Sequence, residues 1–313
     1  MKKLLTMVLA VIMVFSLGTA VMAEEAAPEK VKLGVQMYNF VVGGDWGEVQ
    51  SMEDLEGLLT KIAEAGYDGV EWCNFQLGGE YLDLDQTKSI MDELGLETAG
   101  MHFHFGTEES LADDAKLVVE RCQALNTNNL IFAYSTPALF GMEPDESGNW
   151  TPEQIDEWAG KIDMVLAALK EAAEGTDIRV IYHNHNTEFL VGSEGKYLND
   201  MIAPEGLEVD VYWASKGMDG KVASALDYVR ANIDHVYLLH VKDGLEGSVF
   251  TGEMCGWGKG TYDIQSIVDT ARESDTIEWV IVENDAPYNF LMSAIDDAAE
   301  SAAYAAENIN FVK

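Results

Sequence analysis

Two histidines flank Asn184 in the stretch VIYHNHNTEF (180–189), and a glutamate, Glu188, follows them. A second H-x-H pair, His102 and His104, lies in MHFHF (101–105), so four of the chain's six histidines fall in two short stretches. Imidazole and carboxylate side chains together can hold a divalent ion, move a proton, or do both. Residues two apart on an extended segment face the same way, so each pair can aim both rings into one space. Further along, LEVDVYW supplies Asp210, LLHVKDG supplies His240, Lys242 and Asp243, and WVIVEND supplies Glu283 and Asp285. Cysteine is missing from these positions. That argues against a structural zinc site and leaves Mn²⁺, Zn²⁺, Fe²⁺ and Co²⁺ as ions suited to the mix.

Such residues matter only if the fold brings them together. β-prone runs recur at 32–40, 68–75, 97–105, 129–135, 179–186, 207–213, 236–243 and 279–285, with helical patterns between them. In MEDLEGLLTKIAEAG, Leu55, Leu58, Leu59 and Ile62 repeat at helical spacing before Gly66 closes the segment. Only the stretch after the fifth run is weakly helical. Eight strand–helix units with no long Pro/Ser-rich linker predict one α/β domain, a single (β/α)8 TIM barrel. A doubly wound open sheet is the alternative. In a barrel the chemistry gathers at the carboxyl ends of the strands. The runs end near Glu71, near His102 and His104, near His183 and His185, near Asp210, near His240 and Asp243, and near Glu283 and Asp285.

Residues 1–23 have a basic start, an apolar run and a small-residue end, the pattern of a secretory signal peptide. The apolar run is too short for a convincing membrane span, and no nearby cysteine could take a lipid. The barrel is therefore expected over 24–313, in a secreted or periplasmic protein. A hydrophobic content of 48% suffices for a large core. The formal charge is −36, and removing 1–23 takes away Lys2 and Lys3 but no acid. So acidic a surface repels phosphate backbones and anionic lipid, which excludes nucleic acid and, after cleavage, a membrane as expected partners. A homo-oligomer stays open. Cys73, Cys122 and Cys255 form no CxxC pair, leaving one disulfide or buried free thiols.

In order and spacing, YHNHNTEF, LEVDVYWASKG, LLHVKDG, GWGKGTYD and WVIVEND, with the GVQMYNF start and the AEAGYDGVEW join, resemble the xylose-isomerase-like TIM barrels. That group contains sugar epimerases, inosose dehydratases and, more distantly, endonuclease IV. The resemblance covers nearly the whole chain after residue 23. It implies one divalent metal, Mn²⁺ first, with Zn²⁺, Co²⁺, Fe²⁺ or Mg²⁺ as alternatives, held from the ends of four consecutive strands. Carried over residue by residue, the ligands are His183, Asp210, His240 and Glu283. His183 stands where the sugar epimerases have a glutamate, and there two metal-bound glutamates work from opposite faces of the sugar carbon. An imidazole at that position breaks the symmetry. His185 could replace His183 as ligand, and Glu188 could join Glu283 and His183 as an acid/base.

The chemistry implied is polarisation of a carbonyl, loss of the neighbouring proton and an enediolate, followed by isomerisation, epimerisation or elimination. His102, His104, His185, Lys242 and Asp243 are candidate substrate contacts. Trp213 and Trp257 could stack on a sugar face. Few arginines mean no evident phosphate clamp. The sequence thus predicts an exported divalent-metal-dependent isomerase/epimerase or lyase whose partner is a small-molecule carbohydrate: a non-phosphorylated sugar, polyol or keto-glycoside. A catalytically silent, secreted carbohydrate-binding barrel is the alternative. A phosphodiesterase like endonuclease IV is disfavoured, because its trinuclear zinc site needs a histidine where Trp213 stands.

Overall fold

Short runs of buried β-branched and leucine residues make the strands, and in the computed structural model they close on themselves. The structure describes residues 30–133, 136–245, 253–285 and 292–312; the expected signal peptide lies outside the described residues. The barrel strands are β1 (Lys32–Gln36), β2 (Gly69–Cys73), β3 (Glu97–Phe103), β4 (Asn129–Phe132), β5 (Arg179–His183), β6 (Gly206–Asp210), β7 (Val236–Val241) and β10 (Trp279–Val282). They pair in parallel in the order β1-β10-β7-β6-β5-β4-β3-β2, and β1 closes the ring by pairing with both β10 and β2. Two short strands, β8 (Asp243–Gly244) and β9 (Met254–Cys255), form an antiparallel hairpin above the ring. The single (β/α)8 barrel is the observed fold, and the open sheet is not.

Helices fall where local signals put them. In Met52–Ala65, Ser51 caps the first turn by accepting the Asp54 N–H, and Gly66 ends the helix in the left-handed region at φ 101°. Leu55, Leu58, Leu59 and Ile62 face the barrel and are buried. Pro152–Ala173 opens with a Thr151–Gln154 capping box. Between β5 and β6 the described chain makes no α-helix, only the 3-10 turns Thr187–Phe189 and Leu198–Asp200 and one antiparallel bridge between Val191 and Tyr197, in line with the weak helical pattern there.

Several strands stop earlier than their β-prone runs. The first run turns into a short helix, Tyr38–Gly43. The sixth ends at Asp210, whose carboxylate accepts the Trp213 N–H at 2.7 Å and caps a helix over Val211–Gly217. Trp213 is therefore helical. The fourth run is strand through Phe132, and its last two residues lie outside the described ones.

Inside the ring, Ala99, Ile131, Ala133, Ile181, Leu238, Trp279 and Ile281 form an apolar floor, separate from the larger core between strands and helices. The floor is tight: a Cβ on Gly69 would stand 2.3 Å from the Glu97 carbonyl oxygen and 2.8 Å from the Trp279 ring. Cys73, Cys122 and Cys255 are all buried and free, so of the two cysteine states the thiols are observed. No helix among the described residues is long and apolar enough to cross a membrane.

Candidate active site

Above the apolar floor, strand alternation turns polar side chains inward. Glu71, His102, His183, Glu208 and His240 come from β2, β3, β5, β6 and β7, with Glu283 just past β10, and all are buried. His240 sits at the centre of the array. Its Nδ1 lies 2.8 Å from Glu283 Oε2, and its Nε2 lies 2.7 Å from Glu71 Oε1 and 3.4 Å from Glu208 Oε1. His102 Nε2 stands 2.7 Å from Glu71 and 2.9 Å from Glu208, and His183 Nδ1 stands 2.8 Å from the same Glu208 oxygen. Gln36 donates to Glu71 at 2.6 Å. One step along the strands, the buried Lys242 ammonium donates to both Asp210 and Glu283 and lies 3.7 Å from Asp285.

These donors fall into two compact groups that share His240. In each, one ligand atom per residue lies within 4.8 Å of the others: Asp210, His240 and Glu283 in the outer group, and His102, His183, Glu208 and His240 in the inner. A cavity of about 450 Å³ opens over them. His102, His104, His183, His185, Glu283 and Asp285 form its polar walls, and Tyr38, Phe75 and Trp213 its aromatic side. No lysine or arginine lines it among the described residues.

Residues 59–313 match the family model for the xylose isomerase-like TIM barrel. The chain belongs to the xylose isomerase-like TIM barrel family. Solved structures with the same fold include a sugar phosphate isomerase/epimerase from Parabacteroides distasonis, with a TM-score of 0.66 at 20% identity, covering 94% of this chain and 99% of that one. The 3-keto-D-glucoside 4-epimerase from E. coli gives 0.62 at 16%, covering 89% and 100%. The IOLI protein with a bound zinc atom gives 0.60 at 14%, covering 87% and 96%. No curated protein matches the chain by sequence.

In this xylose isomerase-like barrel, the residues singled out from sequence divide clearly. Asp210, His240 and Glu283 are brought together, while His183 belongs to the inner group with Glu208 rather than beside Asp210 and Glu283. His102, His104, His185 and Trp213 line the cavity. Glu188 does not, because its carboxylate is turned back onto its own loop and the end of β5. There it accepts the His185 N–H and the Tyr182 hydroxyl, each at 2.9 Å. Asp243 is likewise occupied: its carboxylate accepts the N–H groups of Gly244, Gly258, Gly260 and Tyr262 at 2.8–3.1 Å and pins the loop that follows β9. Trp257 is buried and donates to the Val241 carbonyl, a packing role. Lys242 reaches Asp210 and the Glu283 wall carboxylate but does not itself line the cavity. Sequence reading missed Gln36 and Glu208. The signal for Glu208 was its place two residues before Asp210, which puts both on one face of β6.

Buried charge sets the proton affinities. Burial opposes the Lys242 charge, yet Asp210, Asp285 and Glu283 hold its pKa well above the usual lysine value. Burial alone would raise Glu283, but Lys242 and His240 hold it well below the ordinary carboxylate range. Burial and the Glu283 charge push Asp285 up to about 7. Burial and neighbouring imidazoles keep His183 well below its usual value, and burial also lowers His185, so both rings favour the neutral form. His102 goes the other way: burial opposes its charge, but Glu71 and Glu208 raise it to about 9.

A pH dependence of stability follows. A histidine raised in the folded state contributes stability that is full below its unfolded value of about 6.5 and is lost as pH rises through the folded one. His102 thus sets the window from about 6.5 to 9. His240, also raised, acts in the same direction, and lowered His183 is already neutral there. Metal-free protein should lose on the order of 3 kcal/mol across this window by denaturant titration. His102→Gln should flatten the slope. A wild-type stability that is constant or rising from pH 6.5 to 9 contradicts the assignment.

Proposed function

We propose that this protein is an exported, divalent-metal-dependent isomerase or epimerase of non-phosphorylated keto-sugars or keto-glycosides. The observation that carries the reading is the outer group, Asp210, His240 and Glu283, compact and buried at the base of a cavity with proton-carrying side chains on two walls. Two carboxylates and an imidazole suit Mn²⁺ or Zn²⁺. The Lys242 ammonium, held by Asp210 and Glu283, marks the same spot as one built for positive charge. These three residues would hold the ion, which when bound supplies polarisation of a substrate carbonyl and acidifies the adjoining C–H.

The remaining chemistry belongs to side chains of this chain. Neutral His183 and His185 face the cavity from the end of β5, and Glu283 and Asp285 face it from the end of β10. A proton removed at one wall can return from the other, giving an epimer, or from the same wall to a neighbouring atom, giving an isomer. Trp213 donates to Asp285 at 3.2 Å and fixes that carboxylate. Elimination is the second reading, favoured because an imidazole rather than a carboxylate faces Glu283 from β5.

The fold shared with a 3-keto-D-glucoside 4-epimerase supports a keto-sugar substrate. Among the described residues no lysine or arginine lines the cavity, which supports a neutral one. The sequence of residues 1–23 supports export. A matched panel of keto-sugars, keto-glycosides and their phosphates tests the substrate class. We expect kcat/KM for the neutral members to exceed that for the phosphates by about 100-fold or more, since a phosphate would meet the Glu283 and Asp285 walls and, among the described residues, no lysine or arginine lining the cavity to bind it. A preference for the phosphates refutes the assignment.

A further inference from the structure

Beside the outer group the barrel holds a second set of clustered donors, two of which, His102 and Glu208, have no part in the proposed proton transfer. His102, His183, Glu208 and His240 come from four different strands, are buried, and each place a ligand atom within 4.8 Å of the others. A hydrogen-bonded network alone does not satisfy them: Glu208 Oε1 and Glu71 Oε2 are buried oxygens without a hydrogen-bond partner. An unpaired buried carboxylate oxygen is costly, and in a folded protein it calls for an ion, a water or a functional role. Glu71 borders the same space through its other oxygen, Oε1, which lies 2.7 Å from both His102 Nε2 and His240 Nε2.

We propose that His102, His183, Glu208 and His240 form a second, inner metal site, distinct from the outer group of Asp210, His240 and Glu283. The donor set, three imidazoles and a carboxylate, selects a borderline ion such as Zn²⁺ or Co²⁺ over Mg²⁺ or Ca²⁺. His240 serves the inner ion through Nε2, which faces Glu71 and Glu208, while its Nδ1 faces Glu283. To serve both sites at once, His240 would have to offer one ring nitrogen to each and release its N–H proton to solvent. The inner site shares His240 with the outer group, and its occupancy does not depend on the sugar reading.

The test strips the purified protein with a chelator, reloads it with Zn²⁺ alone, and records both elemental zinc per chain and anomalous density at the zinc edge. The wild type should show a peak bounded by His102 Nε2, His183 Nδ1 and Glu208. His102→Gln and, as a shape-preserving second variant, Glu208→Gln should each lose that peak and one zinc per chain. Asp210→Asn reports the outer group separately and should keep the inner peak. Zinc-loaded wild-type crystals with no inner peak, leaving a purely protonic network, overturn the proposal, as does unchanged zinc content in folded His102→Gln or Glu208→Gln.

Discussion

Lys242→Met should lower the stability of the metal-free protein by about 3–5 kcal/mol, because it leaves Asp210 and Glu283 as buried charges without their cation. Methionine matches the lysine stem in length, so the loss reflects charge more than packing. In a chain of this size that corresponds to a fall of about 10 °C in melting temperature. Adding Mn²⁺ or Zn²⁺ should recover most of it, since a divalent ion between the same carboxylates replaces the missing charge and binding to the native state stabilises it. The variant should also bind these ions at least about tenfold more tightly than the wild type, where metal must displace the ammonium. An unchanged melting temperature, or a loss that metal does not reverse, would show that Lys242 does not hold this site together.

Glu283→Gln should separate chemistry from metal binding. The amide oxygen can still face a cation, but it cannot accept a proton, and the carboxylate that now receives His240 and Lys242 is gone. Turnover should fall by about 10²–10⁴-fold, the range for removing a positioned acid/base group, while metal content falls far less. Measuring kcat and bound metal on the same preparation reads both effects. Equal losses would reduce Glu283 to a ligand, and full turnover in the metal-loaded variant would place the base elsewhere.

Much of the barrel was legible because its signals are local. Leucine spacing, the Ser51 cap and the Gly66 stop define one helix within a few residues, and eight such units leave few topologies. Strand ends were less so. The β-prone run through Trp213 gave no warning that Asp210 would cap a helix, since a carboxylate can end a strand or start a helix. In the site, Asp210, His240 and Glu283 could be read from strand-end position alone. Which way Glu188 and Asp243 would turn depended on backbone N–H groups brought up by loops, and no spacing in the sequence reports those. Glu208 was hidden for the opposite reason. It lies in the middle of a buried strand, where an acid reads as an interruption, and only its partners on β3, β5 and β7 give it a role.

The central claim, proton transfer beside a carbonyl at the Asp210, His240 and Glu283 group, is most directly tested by solvent deuterium exchange. Wild-type protein, with its metal content recorded, is incubated in D₂O with neutral keto-sugars and keto-glycosides, and the carbon next to the carbonyl is followed by NMR. Exchange at that carbon, lost on chelation and restored by Mn²⁺ or Zn²⁺, is the result expected. Product formed with no deuterium at that carbon, or exchange that persists undiminished in chelated protein and in Asp210→Asn, would contradict the account.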